Sequence, residues 1–145
     1  MVVGLGIDVA SIERIARAIE RFGSRLLNRL LTEQERQEAE RRGTNPLVMA
    51  TWTAGRLAAK EATSKALGVP PGIGWHDAFV LRDPSGAPLL TLAGKALERA
   101  KARGVTRMHL SITHDAGVAA AVVVLEGDPA PELAPRAAPS GATQE

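Results

Sequence analysis

The chain has 145 residues, with 18 Lys and Arg against 16 Asp and Glu, no cysteine, no tyrosine, two tryptophans and two phenylalanines. The lack of cysteine excludes a disulfide framework, a thiolate zinc site, an iron–sulfur cluster and a cysteine nucleophile. With aromatics at 3% a single domain of this length must build an aliphatic core, and a formal net charge of +2 leaves any attraction to an acidic partner to the placement of the charges.

The opening MVVGLGIDV is rich in Val and Ile and reads as a buried strand, with Asp8 its one charge. Ser11 caps a helix whose apolar positions Ile12, Ile15, Ala16 and Ile19 recur at helical spacing and which ends near Phe22 and Gly23. Thr32 and Glu35 have the capping-box form, opening a charged helix over 33–42 that Gly43 terminates. Asn45-Pro46 then starts a long helix over about 46–67 that runs until Gly68, Pro70 and Pro71. After the loop GVPPGIGW, AFVLRD and PLLTL read as strands joined by a Pro-Ser-Gly turn. GKALERAKARG reads as a short helix, and VTRMHLSITH with VAAAVVVLE as a hairpin around Asp115-Ala116-Gly117. From Gly127 onward the Pro- and Ala-rich composition predicts a disordered tail, so the domain is taken as 1–126. The fold class is α+β, helices covering a mainly antiparallel sheet. No apolar run approaches the roughly 20 residues that span a bilayer, and no basic leader precedes the first strand, so a cytoplasmic protein without membrane contact is expected.

Three places can carry chemistry. Asp8 ends an apolar strand, where a bare carboxylate is costly; a turn or capping role and a functional role stand level on spacing alone. Arg56 and Lys60, and Glu61 and Lys65, are each four apart within RLAAKEATSK. Taken alone they describe a solvated face with a Glu-to-Lys pair, a reading weakened by their small Ala and Thr neighbours. His114 follows a strand on which Met108, Leu110 and Ile112 face one way and His109, Ser111 and Thr113 the other. Three histidines without HExxH spacing make a zinc site improbable. No GxGxxG, P-loop or GxSxG sequence occurs, and Ser11, Ser24 and Ser111 lack a triad context.

In order and spacing, GLGIDVASIERI, AGRLAAKEATSKALG and HLSITHDAGVAAAVVV resemble the signature segments of the holo-(acyl-carrier-protein) synthase family of 4'-phosphopantetheinyl transferases, over about residues 1–126. The resemblance implies the 4'-phosphopantetheinyl transferase fold and transfer of 4'-phosphopantetheine from coenzyme A to a serine of apo acyl carrier protein. Adenosine 3',5'-bisphosphate is released, and the family is typically a homotrimer with its sites between subunits. It places Asp8 and Glu61 on Mg²⁺, an ion commonly held by one or two carboxylates plus substrate phosphates. It sets Lys65 against the pyrophosphate, gives Arg56 and His114 the adenosine end and 3'-phosphate, and lines that cleft with Thr113 and Gly68. A water on the metal, Glu61 and Asp8 each remain candidates for the base that takes the serine proton. Arg14, Arg17 and Arg21 on the first helix are implied to dock the acidic helix of the carrier protein, although Glu13 and Glu20 share that helix. One departure is Gly86-Ala87-Pro88 where the family turn reads Gly-Lys-Pro or Gly-Arg-Pro, which removes a phosphate contact. The rival readings are a silent coenzyme A- or carrier-protein-binding module of the same fold and a small nucleic-acid-binding domain. The latter is disfavoured because the chain has no tyrosine and no basic run free of acids, so no nucleic-acid partner is expected.

Overall fold

A stripe of alanines on one long helix sets the architecture. Ala50, Ala54, Ala58 and Ala62 recur every fourth position, so they share one face, and each is fully buried. Side chains this small let a sheet lie close against the helix. The computed structural model describes residues 1–128. In chain order the elements are β1 (Val2–Ser11), α1 (Ile12–Phe22), α2 (Ser24–Leu30), α3 (Glu33–Arg41), α4 (Pro46–Ala66), β2 (Ala78–Arg82), β3 (Pro88–Leu92), α5 (Gly94–Ala102), β4 (Val105–Asp115) and β5 (Val118–Gly127). The α+β expectation holds, with the strands split between an antiparallel three-stranded sheet of order β1-β5-β4 and a separate β2-β3 hairpin.

Close approach is visible where β1 crosses α4. A Cβ added at Gly6 would collide with the Ala62 carbonyl, and one at Gly4 with the Ala66 carbonyl, so only glycine lets this strand lie on this helix. The register pairs Ile7 with Val122 and Asp8 with Ala121, placing Gly6, Asp8 and Ala10 on the helix side. Leu5, Ile7 and Val9 project from the opposite face and are exposed, with no helix over them. The β4-β5 hairpin turns at Ala116 and Gly117, both at positive φ, which suits the twist of the flanking strands.

The capping expectations hold: Ser11 Oγ accepts from the Arg14 N–H, and Asn45 Oδ1 from the Leu47 and Val48 N–H groups. The core is aliphatic, built from alanines with Leu67, Val80, Val123 and Leu125. A smaller cluster joins Leu30, Leu31, Ala39 and Trp52. Its Leu30 comes from α2, a helix the sequence reading left unassigned. The domain limit also shifts slightly, because Gly127 belongs to β5 and its N–H donates to the Met1 carbonyl. The tail expected beyond it lies, from Pro129 on, outside the described residues.

Candidate active site

Asp8 leaves β1 toward α4 and meets two side chains from one face of that helix. Glu61 and Lys65 are four apart, hence about 40° apart around the axis, and both reach the strand. Lys65 Nζ donates to Asp8 Oδ1 at 2.8 Å and to the Ile7 carbonyl at 3.0 Å. Glu61 lies beside Asp8, and burial first, then the Asp8 charge and the shared proton the two carboxyls can hold between them, raise the Glu61 carboxyl above the usual range, with Lys65 opposing. Two carboxylates forced together beside one lysine make a cation-seeking pair. Glu61 and Lys65 open on a cavity of about 320 Å³, walled on its far side by Val69, Ile73 and Trp75.

Lys60, next to Glu61 in sequence, borders the same cavity but is buried. The solvated-face reading of RLAAKEATSK fails for Lys60 and Arg56, which are both buried. Lys60 Nζ donates to Glu35 Oε1 at 2.7 Å, to the Trp75 carbonyl at 2.9 Å and to the Ala78 carbonyl at 2.7 Å, using all three of its protons. Glu35 in turn accepts from the Thr32 and Val80 N–H groups. Burial lowers the lysine's proton affinity while the Glu35 charge raises it, the net direction being down. The knot ties α3, α4 and the start of β2, and so fixes Trp75 across the cavity from Glu61.

Arg56 sits five residues before Glu61, about 140° around the helix, and serves a different cavity of about 450 Å³. Thr113 and His114 line it with Arg42, Arg82 and Trp52. The Trp52 ring packs over the Arg56 guanidinium at 4.3 Å from its centroid. Arg56 Nε and Nη2 are buried without a hydrogen-bond partner among the described residues. Desolvation pushes Arg56 down to about 10 despite the nearby Glu38.

Thus Asp8, Glu61 and Lys65 come together, and Arg56, Thr113 and His114 come together, but one chain does not join the two groups. Gly68 joins neither cavity. It closes α4 at positive φ, facing Arg99 and Arg103, and at 1.5 Å per residue stands about 18 Å along the helix from Arg56. Arg14, Arg17 and Arg21 are exposed along α1, Arg17 paired with Glu13 and Arg21 over the exposed Phe22 ring. Sequence reasoning overlooked Trp52, Glu38 and Arg82. The Trp52-to-Arg56 spacing of four was a legible sign of stacking, whereas Glu38 and Arg82 meet across 44 residues of chain.

Residues 4–123 match the family model of the 4'-phosphopantetheinyl transferase superfamily. A holo-[acyl-carrier-protein] synthase of Solidesulfovibrio magneticus is 50% identical over 129 residues, 88% of this chain and 100% of the relative. The chain belongs to the holo-[acyl-carrier-protein] synthase family. Two crystal structures of family members agree in fold. The Helicobacter pylori synthase in complex with coenzyme A superposes with a TM-score of 0.70 at 35% identity, covering 84% of this chain and 99% of that one. The Bacillus anthracis synthase in complex with CoA (3',5'-ADP) gives 0.69 at 36% identity, covering 88% and 99%. Among the described residues no helix is long and apolar enough to cross a membrane.

Proposed function

We propose that this chain transfers the 4'-phosphopantetheine group of coenzyme A to a serine of apo acyl carrier protein, with Asp8, Glu61 and Lys65 at the reacting phosphate and the Arg56 cavity holding the nucleotide end. The observation that carries this reading is the division of labour on α4: a carboxylate pair with an exchangeable lysine on one side, a buried guanidinium with unsatisfied donors on the other. The serine oxygen forms a bond to the β-phosphorus of coenzyme A. The bond from that phosphorus to the bridging oxygen breaks, and adenosine 3',5'-bisphosphate departs with the electron pair. Lys65, half exposed and held only by Asp8 and the Ile7 carbonyl, is free to turn its ammonium to the leaving phosphate. The serine proton goes to Glu61, to Asp8 or to a water they hold.

Asp8 and Glu61, two carboxylates brought together beside one half-exposed lysine, are the residues that would hold Mg²⁺, an ion whose remaining oxygen ligands come from water and substrate phosphate. Such an ion would supply neutralisation of the charge that develops on the pyrophosphate. The uncovered Leu5, Ile7 and Val9 on β1, continuous with half-buried Val122 and Val124 on β5, support assembly of copies into a homotrimer. A second copy then brings an Arg56 cavity to the Asp8 pair. Arg14, Arg17 and Arg21 dock the acidic carrier protein, and the protein works in the cytoplasm. Arg14→Glu raises KM for carrier protein while leaving KM for coenzyme A unchanged; equal effects on both refute the docking assignment.

The test is intact-mass spectrometry of apo acyl carrier protein incubated with the protein, coenzyme A and Mg²⁺, beside Asp8→Ala, Glu61→Ala and an EDTA control. A phosphopantetheine-sized gain lost in all three controls supports transferase and metal pair together. No gain with several carrier proteins, despite coenzyme A binding, returns the chain to a silent binding module.

A further inference from the structure

The wall of the Arg56 cavity holds an arrangement of charge that the proposed reaction does not yet use. A single carboxylate oxygen, Glu38 Oε1, stands 2.7 Å from Arg82 Nε, 3.4 Å from Arg42 Nη2 and 3.6 Å from Arg56 Nη2. Three guanidinium groups therefore share one counter-ion, and the knot keeps a surplus of two positive charges. Burial would raise the Glu38 carboxyl, but the Arg82 hydrogen bond and the charges around it outweigh that and hold it below the usual range, so it stays ionised.

The three arginines are not equivalent. Arg56 is buried and, its ion pair with Glu38 being too long for a hydrogen bond, its Nε and Nη2 have no acceptor among the described residues, which is unfavourable until something in the cavity accepts from them. Arg82 is 43% exposed at its side chain yet oriented twice, Nε donating to Glu38 and Nη1 to the Gly86 carbonyl at 2.9 Å. Its Nη2 makes no hydrogen bond among the described residues. A planar fork locked at two nitrogens with the third free is arranged to meet an acceptor without further ordering. Near neutral pH a phosphate monoester carries a charge of about −1.5 to −2 and three acceptor oxygens, which matches the surplus; a diester, with one negative charge, does not. The monoester of coenzyme A is its 3'-phosphate.

We propose that Arg82 is a specificity-determining residue of this cavity: held by Glu38 and the Gly86 carbonyl, it joins Arg42 and Arg56 in a three-guanidinium receptor for the 3'-phosphate. Glu38 is then the placeholder anion of the empty receptor, and it keeps three like charges together until ligand arrives. This rests on the reading of the cavity as the nucleotide end of coenzyme A. It adds a residue on β2, and an orienting carboxylate on α3, to that recognition.

The test is calorimetric titration of the full chain with coenzyme A and with 3'-dephospho-coenzyme A, read as the ratio of the two dissociation constants. Transfer to carrier protein is measured alongside. The wild type prefers coenzyme A, and Arg82→Gln lowers the preference about tenfold, the scale of one charge-assisted hydrogen bond. Arg82→Lys, which keeps the charge but not the fork, recovers part of it. Arg41→Gln, on the same helix as Glu38 but outside the cavity, leaves the ratio at the wild-type value. Melting temperatures check that each variant is folded. A ratio for Arg82→Gln equal to that of Arg41→Gln, while Arg56→Gln loses the preference, overturns the proposal and leaves Arg82 a partner of Glu38 alone. No preference in the wild type overturns it too, together with the reading of the cavity. A preference that falls in Arg82→Gln without any transfer sustains the receptor and sinks the transferase.

Discussion

Lys60 and Lys65 stand five residues apart on one helix, and each touches a carboxylate at nearly the same distance, 2.7 and 2.8 Å. Both border one cavity, but they differ in exposure and in the number of partners each holds. Lys60 is 3% exposed at its side chain, faces a carboxylate with no exposure at all, and spends its remaining protons on two carbonyls. Lys65 is 49% exposed and holds only Asp8 and one carbonyl. A buried pair with every lone pair and proton engaged cannot exchange partners without leaving a bare charge behind, so it acts as architecture. Lys65, half solvated although Asp8 is 13% exposed, can exchange Asp8 for another anion while keeping water contact, so it is available for chemistry.

The contrast breaks most visibly at Lys60. Lys60→Met leaves Glu35 buried and uncompensated and destabilises the chain by about 3–5 kcal/mol in urea unfolding. Adding Glu35→Met recovers part of the loss; a double variant no better than Lys60→Met means that the two do not act as a pair. Lys65→Met weighs the other way: kcat for transfer falls by at least about a hundredfold, while the loss of stability, from an Asp8 that keeps some water, is smaller than that of Lys60→Met. A large stability loss there would erase the distinction between the two lysines.

The carboxylates sharpen it through pH. The Glu61 carboxyl is raised in the folded chain, so the native state binds its proton more tightly than the unfolded state does. Its contribution to stability therefore declines as pH rises from the ordinary carboxylate range through the raised value. Glu61→Gln removes that decline, so the variant gains on the wild type with rising pH and the gain then levels off. Mg²⁺ binding only the folded wild type narrows the difference. Melting curves across pH with and without Mg²⁺ check this; a pH-independent difference refutes it. The smallest effect belongs to Arg17→Ala, which breaks only the exposed pair with Glu13 and moves stability by less than about 0.5 kcal/mol. Its expected signature is a raised KM for carrier protein that fades with added salt.

The same contrast explains what could be read from the sequence. Local signals carried most elements: Ser11, the Thr32-Glu35 box and Asn45-Pro46 opened the helices where they begin, and alternation gave the β4-β5 hairpin. α2 escaped because SRLLNRL is seven residues long and has no side-chain cap, its apolar positions making sense only once Trp52 is beside them. Asp8, Glu61 and Lys65 were recognisable as a set through family resemblance. Glu35 was legible only as a cap, and Lys60 only as a charge, because their meeting spans 25 residues and needs the folded α3-α4 pair. Glu38 and Arg82 carry no local sign of each other.

The two tryptophans supply one more consequence. Trp52 lines the Arg56 cavity and Trp75 the cavity of Glu61 and Lys65, and the chain has no tyrosine. Its tryptophan emission therefore originates entirely in the walls of these two cavities. Replacing either indole with phenylalanine leaves a chain whose whole fluorescence comes from one wall, an optical probe for each half of the site without any attached dye.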